Sequence, residues 1–223
     1  MTAETLILVG GLWLDASAWN DVVTELAGQD RHAVPVALPV KPADTLGDQV
    51  AAVLAAVDAA PGRSVVVGHS AACSLAWLAA DARPDRVAKV ALIGGYPAVD
   101  GSTYADFFEV RDGLMPFPGW TPFEGPDAAD LDGPARQAFE AAAVTVPEGV
   151  ARGVVHLGDE RRYDVPVALI CPEFTPDQAR EWIAGGDIPE LARVKNLDLI
   201  DIDSGHWPML TQPLALARIL AAL

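Results

Sequence analysis

Short runs of apolar residues that alternate with helix-length segments are the feature that most constrains the fold of this chain. The runs occupy residues 5–9, 32–38, 63–67, 87–93, 165–170 and 196–202. Several of them are apolar at consecutive positions, which is typical of strands that are buried on both faces. Strands that alternate with helices form a parallel sheet with helices on both sides. The sequence therefore predicts an α/β fold with a mostly parallel, doubly wound sheet.

One long interval, residues 95–164, interrupts this alternation. It is rich in proline, glycine and aromatic residues, and it contains helical patterns but no strand-like run. We expect a single domain over residues 1–223, long enough to bury a large core, with this interval as a helical cap insertion over the sheet. The aromatic residues of the interval indicate an apolar binding cavity. The alternative is that they form only the insertion's own small core.

The pentapeptide Gly68-His69-Ser70-Ala71-Ala72 follows the third apolar run and opens a helical pattern. A serine on a tight turn from a buried strand into a helix presents its hydroxyl at the edge of the sheet, where it can act as a nucleophile. Small residues are needed at both ends of the pentapeptide because the turn crowds the strand against the helix. By itself, the pattern also fits an ordinary strand-to-helix connection.

A histidine follows the last apolar run, in the segment Gly205-His206-Trp207-Pro208. Because ligands bind where the carboxyl ends of parallel strands meet, we expect His206 and Ser70 to lie together there. A serine hydroxyl is a weak nucleophile until a neighbouring base takes its proton, and His206 is the predicted base. The backbone N–H groups of Leu12 and Ala71 are predicted to bind the oxyanion, although the Gly10-Gly11 turn could lack this role.

These segments resemble the nucleophile elbow, the oxyanion loop and the catalytic-histidine loop of the α/β-hydrolase superfamily, in which the serine also precedes the histidine. The compact chain with one helical cap is similar to the plant methyl-esterase and hydroxynitrile-lyase branch and its bacterial relatives. The resemblance implies the α/β-hydrolase fold, and catalysis by Ser70 and His206 without a metal or another cofactor.

The chain departs from the family pattern at the catalytic acid. Relatives usually carry an aspartate a few residues after the penultimate strand, and Thr175 stands at the position that we align with it. Without a carboxylate, an imidazole loses the group that orients it and stabilises its charged form. Glu173, two residues earlier on the same loop, is the first choice for this role. Asp100 and Asp203 are the alternatives.

Composition limits the partners of the chain. The net charge is −16 and the 15 basic residues are dispersed, which argues against binding to nucleic acid. There is no apolar run of about 18 residues and no positively charged leader, so we expect a cytoplasmic protein without membrane contact. The four histidines and two cysteines form no metal-binding motif, and both cysteines are expected to be buried. The sequence leaves the oligomeric state open.

Together these observations predict a serine hydrolase, of the esterase type, that acts on a small, fairly apolar carboxylic ester, lactone or thioester. Six side chains are predicted to contact this small-molecule substrate: Trp13, His69, Tyr96, Phe107, Trp120 and Trp207. The same serine and histidine could instead transfer protons in a non-hydrolytic lyase or cyclase. A third possibility is a binding protein that keeps the fold without the chemistry.

Overall fold

The computed structural model describes residues 4–223. Its strands are β1 (Thr5–Val9), β2 (Ala33–Pro35), β3 (Ser64–His69), β4 (Val87–Ile93), β5 (Leu114–Met115), β6 (Val146–Pro147), β7 (Val167–Cys171) and β8 (Leu197–Asp201). Its α-helices are α1 (Asn20–Ala27), α2 (Leu46–Ala59), α3 (Cys73–Ala82), α4 (Gly133–Ala142), α5 (Glu148–Ala151), α6 (Pro176–Gly185), α7 (Pro189–Ala192), α8 (Pro208–Thr211) and α9 (Pro213–Ala221). Short 3-10 helices occur at Ala16–Trp19, Ser70–Ala72, Thr121–Phe123, Pro126–Ala128 and Glu160–Asp164.

Six of the strands form one sheet in the order β2-β1-β3-β4-β7-β8, in which all neighbours are parallel. Every residue of β1, β3 and β7 is buried. Strands with two buried faces need apolar side chains at consecutive positions, which explains the continuous apolar runs in the sequence. The predicted parallel α/β fold is confirmed.

The strand register brings the functional loops to one edge of the sheet. Val9 pairs with Gly68, His69 with Ile93, and Ile93 with Ile170, so the carboxyl ends of β1, β3, β4 and β7 are level. The loops that follow these strands therefore start side by side. This is the position at which α/β sheets bind their ligands.

The interval between β4 and β7 contains the helices α4 and α5, as its helical patterns indicate. The prediction that it contains no strands was wrong, because β5 and β6 form a small antiparallel pair in which Leu114 is opposite Pro147. Each of these strands has two residues. A two-residue strand is too short to produce an alternating pattern in the sequence.

Cys73 and Cys171 are both buried free thiols, as predicted. Within residues 4–223, no group of three or more histidine, cysteine or acidic side chains is arranged to hold a metal ion. None of the helices in this range combines the length and the apolar character that crossing a bilayer requires.

Candidate active site

Ser70 occupies a strained turn between β3 and α3. Its φ is +53°, in the left-handed region that residues other than glycine rarely adopt. A Cβ atom at Gly68 would lie 2.3 Å from the carbonyl oxygen of Ala72, and one at Gly95 would lie 2.8 Å from the carbonyl oxygen of Ser70. The need for a small residue at position 68 is thus confirmed. The backbone packs closely on both sides of the serine and holds the turn in place.

His206 forms a close pair with Glu173. The Nδ1 atom of His206 donates to Oε1 of Glu173 at 2.8 Å, and the two side chains are only 13% and 16% exposed. The other carboxylate oxygen, Oε2, is buried without a hydrogen-bond partner among the described residues. Gly94 lies beside the pair with a φ of +58°, and a Cβ atom there would come within 3.3 Å of both side chains. The pair therefore occupies space that only a glycine at position 94 leaves free.

The other residues considered for the catalytic acid lie elsewhere. Thr175 is the N-cap of α6, where its hydroxyl accepts a hydrogen bond from the backbone N–H of Gln178. Asp100 accepts a hydrogen bond from the backbone N–H of Leu157 at 2.9 Å, and Asp203 is exposed. Of the three carboxylates named from the sequence, only that of Glu173 forms a hydrogen bond with the His206 ring within residues 4–223.

Three hydrogen bonds hold the loop that carries His206. The backbone N–H of His206 donates to the carbonyl oxygen of Asp127 at 2.7 Å, and that of Gly205 donates to the carboxylate of Asp130 at 2.8 Å. On the other side, Nε2 of His69 donates to the carbonyl oxygen of His206 at 2.8 Å. Sequence reasoning missed Asp127 and Asp130 because no motif distinguishes them from the other acidic residues of the interval.

Ser70 lies between two cavities. The larger, about 710 Å³, is lined by Ser70, Tyr96, Tyr104, Phe107 and Trp182, among others. The smaller, about 200 Å³, is lined by Leu12, Trp13, His69, Ser70, Phe107, Phe108, Phe123, Asp127, Glu173, His206 and Trp207. Ser70, His206 and Glu173 therefore share one cavity wall. In the described part of the chain, the Ser70 hydroxyl makes no direct hydrogen bond to the His206 ring.

Five of the six predicted substrate contacts line one or both of these cavities: Trp13, His69, Tyr96, Phe107 and Trp207. Trp120 lines neither cavity, and its ring packs against Phe117, Phe139 and Trp207. The sequence did not single out Tyr104, Phe108, Phe123 or Trp182 as cavity residues. Which aromatic ring of the interval faces a cavity depends on how the interval packs on the sheet, and local sequence carries no signal of that packing.

The loop after β1 packs against the turn that carries Ser70. A Cβ atom at Gly11 would lie 2.9 Å from the carbonyl oxygen of His69 and equally close to Cβ of Ser70. The backbone N–H of Leu12, the next residue, has no hydrogen-bond acceptor within residues 4–223. Ala71, at the start of the 3-10 helix Ser70–Ala72, also has an N–H group without an acceptor in that helix. Two free backbone donors therefore flank Ser70.

The site is acidic. No lysine or arginine of residues 4–223 lines either cavity, whereas Glu173 and Asp127 both line the smaller one. Burial raises the pKa of Asp127, an effect that the nearby His206 opposes and Glu173 reinforces.

His69 is a buried histidine beside His206. Burial lowers the pKa of His69 well below its ordinary value, and the neighbouring His206 adds to this effect. His69 is therefore neutral near pH 7.

Comparison with known proteins extends these observations. The family model described as "Alpha/beta hydrolase family" matches residues 6–219. No curated protein sequence is significantly similar to the chain.

Many solved structures share the fold. An extracellular α/β-hydrolase from a Paenibacillus species is 17% identical to this chain, with a TM-score of 0.76. The match covers 99% of this chain and 98% of the Paenibacillus chain. A methylesterase from Arabidopsis is 14% identical, with 99% and 98% covered and a TM-score of 0.73. Methylketone synthase I from tomato is 13% identical, with 100% and 98% covered and a TM-score of 0.72. Because the family model covers nearly the whole sequence and the described sheet has the corresponding architecture, the chain belongs to the alpha/beta hydrolase family.

Proposed function

We propose that this protein is a serine esterase that hydrolyses a small carboxylic ester, lactone or thioester. The observation that carries the proposal is the hydrogen-bonded pair of His206 and Glu173 in the wall of the cavity that also contains Ser70. A nucleophile, a base and a carboxylate that orients the base are the parts that acyl transfer by a serine requires. Their convergence on one cavity supports hydrolysis over simple binding.

In the proposed reaction, Oγ of Ser70 attacks the carbonyl carbon while Nε2 of His206 takes the hydroxyl proton. Glu173 accepts the hydrogen bond from Nδ1 and stabilises the imidazolium that forms. The proton then passes to the leaving alcohol as the bond from carbon to the leaving oxygen breaks, and water releases the acyl group by the same route. Catalytic hydrogen bonds are often long or poorly aligned without substrate, so we expect the Ser70 hydroxyl to form a hydrogen bond with the His206 ring when the ester binds.

The backbone N–H groups of Leu12 and Ala71 are the proposed donors to the oxyanion. Both are free, and they flank Ser70 from the loop after β1 and from the first turn before α3. Donors of this kind are held in place before the reaction and typically lower the barrier by about 3 kcal/mol each.

Residues 95–164 are the proposed cap, and the two cavities that Ser70 joins are the proposed sites of the two halves of the ester. Their volumes differ more than threefold, at about 710 and 200 Å³. A substrate with one large and one small group on either side of its carbonyl would fill them. Trp13, His69, Tyr96, Phe107 and Trp207 would form part of the walls around it, whereas the position of Trp120 favours a role in packing the cap.

The names of similar structures agree with an ester substrate, since they include the Arabidopsis methylesterase and a pyrethroid hydrolase from Sphingobium faniae, which is 18% identical with a TM-score of 0.70. The second candidate is a non-hydrolytic lyase or cyclase in which Ser70 and His206 move protons. The tomato methylketone synthase among the similar structures supports it, because that protein is named as a synthase and not as a hydrolase.

A fluorophosphonate probe separates these candidates. The probe forms a bond between phosphorus and Oγ of an activated serine and releases fluoride, so we expect one label per chain, at Ser70. The label should disappear in Ser70→Ala and become much slower in His206→Ala. The matched controls Ser17→Ala and His156→Ala, which change exposed residues outside both cavities, should keep it.

Turnover of short para-nitrophenyl esters, lost in Ser70→Ala and kept in Ser17→Ala, would then establish hydrolysis. If the wild-type protein takes no label at pH 8 and turns over no ester, the esterase proposal is wrong and the second candidate is favoured.

A further inference from the structure

Five of the eleven residues that line the smaller cavity are tryptophan or phenylalanine. They are Trp13, Phe107, Phe108, Phe123 and Trp207. The ring centroids of Trp13 and Phe123 are 5.9 Å apart, and those of Phe123 and Trp207 are 5.3 Å apart. A group of a few atoms in this cavity would therefore contact several aromatic rings at once.

The acidic residue Asp127 lines the same cavity. Asp127 lies in the 3-10 helix Pro126–Ala128, and the bond from the N–H of His206 to its carbonyl oxygen fixes it beside the proposed base. Its carboxylate makes no hydrogen bond or ion pair with any other residue in the range 4–223. The second carboxylate of the cavity, Glu173, is already bound to His206.

This arrangement is unfavourable for the protein alone. A half-buried carboxylate loses hydration, and burial accordingly raises the pKa of Asp127, an effect that the nearby His206 and the backbone N–H of Asp127 itself only partly oppose. A lysine or arginine would compensate the charge, but none of those in the described chain lines the cavity. Apolar ligands would not compensate it either, because they offer no charge and no hydrogen-bond donor.

An organic cation would satisfy both features. Aromatic rings attract a cation within about 6 Å of their centroids, and this is how ammonium groups are recognised in proteins. A nearby carboxylate adds a favourable charge interaction with a bound cation. The size of the cavity, about 200 Å³, suits a small substituted ammonium group.

We propose that the smaller cavity binds a tertiary or quaternary ammonium group, so that the substrate is an ester with a cationic substituent on one side of its carbonyl. This inference rests on the proposed esterase function for the chemical step and deepens it by naming the charge of the substrate. The larger cavity would hold the uncharged half. No lysine or arginine in the described part of the chain lines either cavity, which disfavours esters that carry a carboxylate or a phosphate.

Choline butyrate and its uncharged isostere, in which a tert-butyl group replaces the trimethylammonium group, test the inference. The two esters have nearly the same shape and differ in charge. We expect kcat/KM to be at least tenfold higher for the cationic ester in the wild-type protein. Asp127→Asn keeps the backbone carbonyl that is bonded to His206. In this variant, we expect the kcat/KM values of the two esters to differ by no more than about threefold.

The matched control is Glu140→Gln, which removes the same charge from an exposed position on α4 outside both cavities. We expect Glu140→Gln to keep the preference for the cationic ester. If the overall negative charge of the protein caused this preference, both substitutions would reduce it equally, because each removes one negative charge. A ratio of the two kcat/KM values near one in the wild-type protein, or a preference that survives in Asp127→Asn, would overturn the inference. The proposed esterase function would still stand in either case, because both esters would be hydrolysed.

Calorimetric titration with tetramethylammonium chloride tests the cavity without any reaction. Sodium chloride at the same concentration serves as the blank. We expect saturable binding to the wild-type protein and to Glu140→Gln, and binding at least fivefold weaker to Asp127→Asn. Absence of binding to the wild-type protein would refute the inference even if the serine is an active nucleophile. Binding without any ester turnover would support the cation site and count against the esterase proposal alone.

Discussion

The imidazole of His69 donates from Nε2 to the backbone carbonyl oxygen of His206 at 2.8 Å, across 137 positions of sequence. Because a carbonyl oxygen only accepts, Nε2 carries the proton and Nδ1 of this neutral ring has a free lone pair. Nδ1 is buried and has no partner in the described chain. The bond joins the turn that carries Ser70 directly to the loop that carries His206. It therefore contributes to the relative position of the proposed nucleophile and base.

The buried, neutral state of His69 predicts a pH dependence of stability. Burial holds its pKa in the folded protein well below the value of about 6.5 in the unfolded chain. As pH falls below about 6.5, the unfolded chain takes up a proton at His69 that the folded protein does not bind, so the free energy of unfolding decreases. This residue can contribute a slope of at most about 1.4 kcal/mol per pH unit.

Urea unfolding at pH 7.5 and pH 5.5 measures the effect. We expect the loss of stability between these values to be smaller in His69→Gln, whose side-chain amide can still donate to the His206 carbonyl. His156→Gln, at an exposed site, removes one histidine in the same way and should keep the wild-type loss. Equal losses in all three proteins would contradict a buried neutral His69.

Glu173→Gln should lower kcat for para-nitrophenyl esters at least tenfold. The amide keeps the size of the side chain but removes the negative charge that orients His206 and stabilises its protonated form, and the equivalent change in serine proteases costs about 10⁴ in turnover. Glu181→Gln, on the exposed face of α6, is the matched control and should keep the wild-type rate. A wild-type kcat in Glu173→Gln would return the role of the acid to Asp100 or Asp203.

Thr175→Ala should reduce stability without reducing turnover. The Thr175 hydroxyl accepts from the N–H of Gln178 at 3.2 Å, and the Gln178 side chain accepts from the N–H of Thr175 at 2.8 Å. Loss of such an N-cap costs about 1 kcal/mol, which urea unfolding detects. Thr175→Ser keeps the cap and should remain within a few tenths of a kcal/mol of wild type. A kcat more than tenfold lower in Thr175→Ala, with wild-type stability, would instead place the residue in the reaction.

Gly11→Ala should lower kcat at least tenfold because the new methyl group would displace the loop that carries the proposed Leu12 donor. The Cβ atom would lie 2.9 Å from Nδ1 of His69, too close for either group to stay in place. Gly158→Ala is the control, since a Cβ atom there meets no other atom within 4 Å. Fluorophosphonate labelling and urea unfolding of both variants would separate a displaced loop from a protein that does not fold. An unchanged kcat in folded Gly11→Ala would remove this loop from the oxyanion site.

The position of the proposed acid shows what sequence comparison alone leaves open. Thr175 stands where relatives usually carry an aspartate, so the family pattern does not show which carboxylate of this chain takes that role. The choice among Glu173, Asp100 and Asp203 depended on which loop approaches His206. The structure brings Glu173 there because β7 and β8 are adjacent parallel strands whose following loops leave the sheet at the same edge. Glu173 follows β7 by two residues, and its side chain reaches the imidazole ring.

The sequence alone determined the parallel sheet, the turn at Ser70 and the loops that supply His206 and Leu12. The segments that form these features carry a local pattern, such as runs of consecutive apolar residues and the small Gly68 before the serine, although the strands themselves pair over long distances in the chain. Only the tertiary structure decided that Glu173 is the partner of His206, that His69 joins the two loops, and that Asp127 rather than Trp120 faces the cavity. Each of these depends on contacts between residues distant in the chain, and in particular on how residues 95–164 pack over the sheet, which no short stretch of sequence specifies.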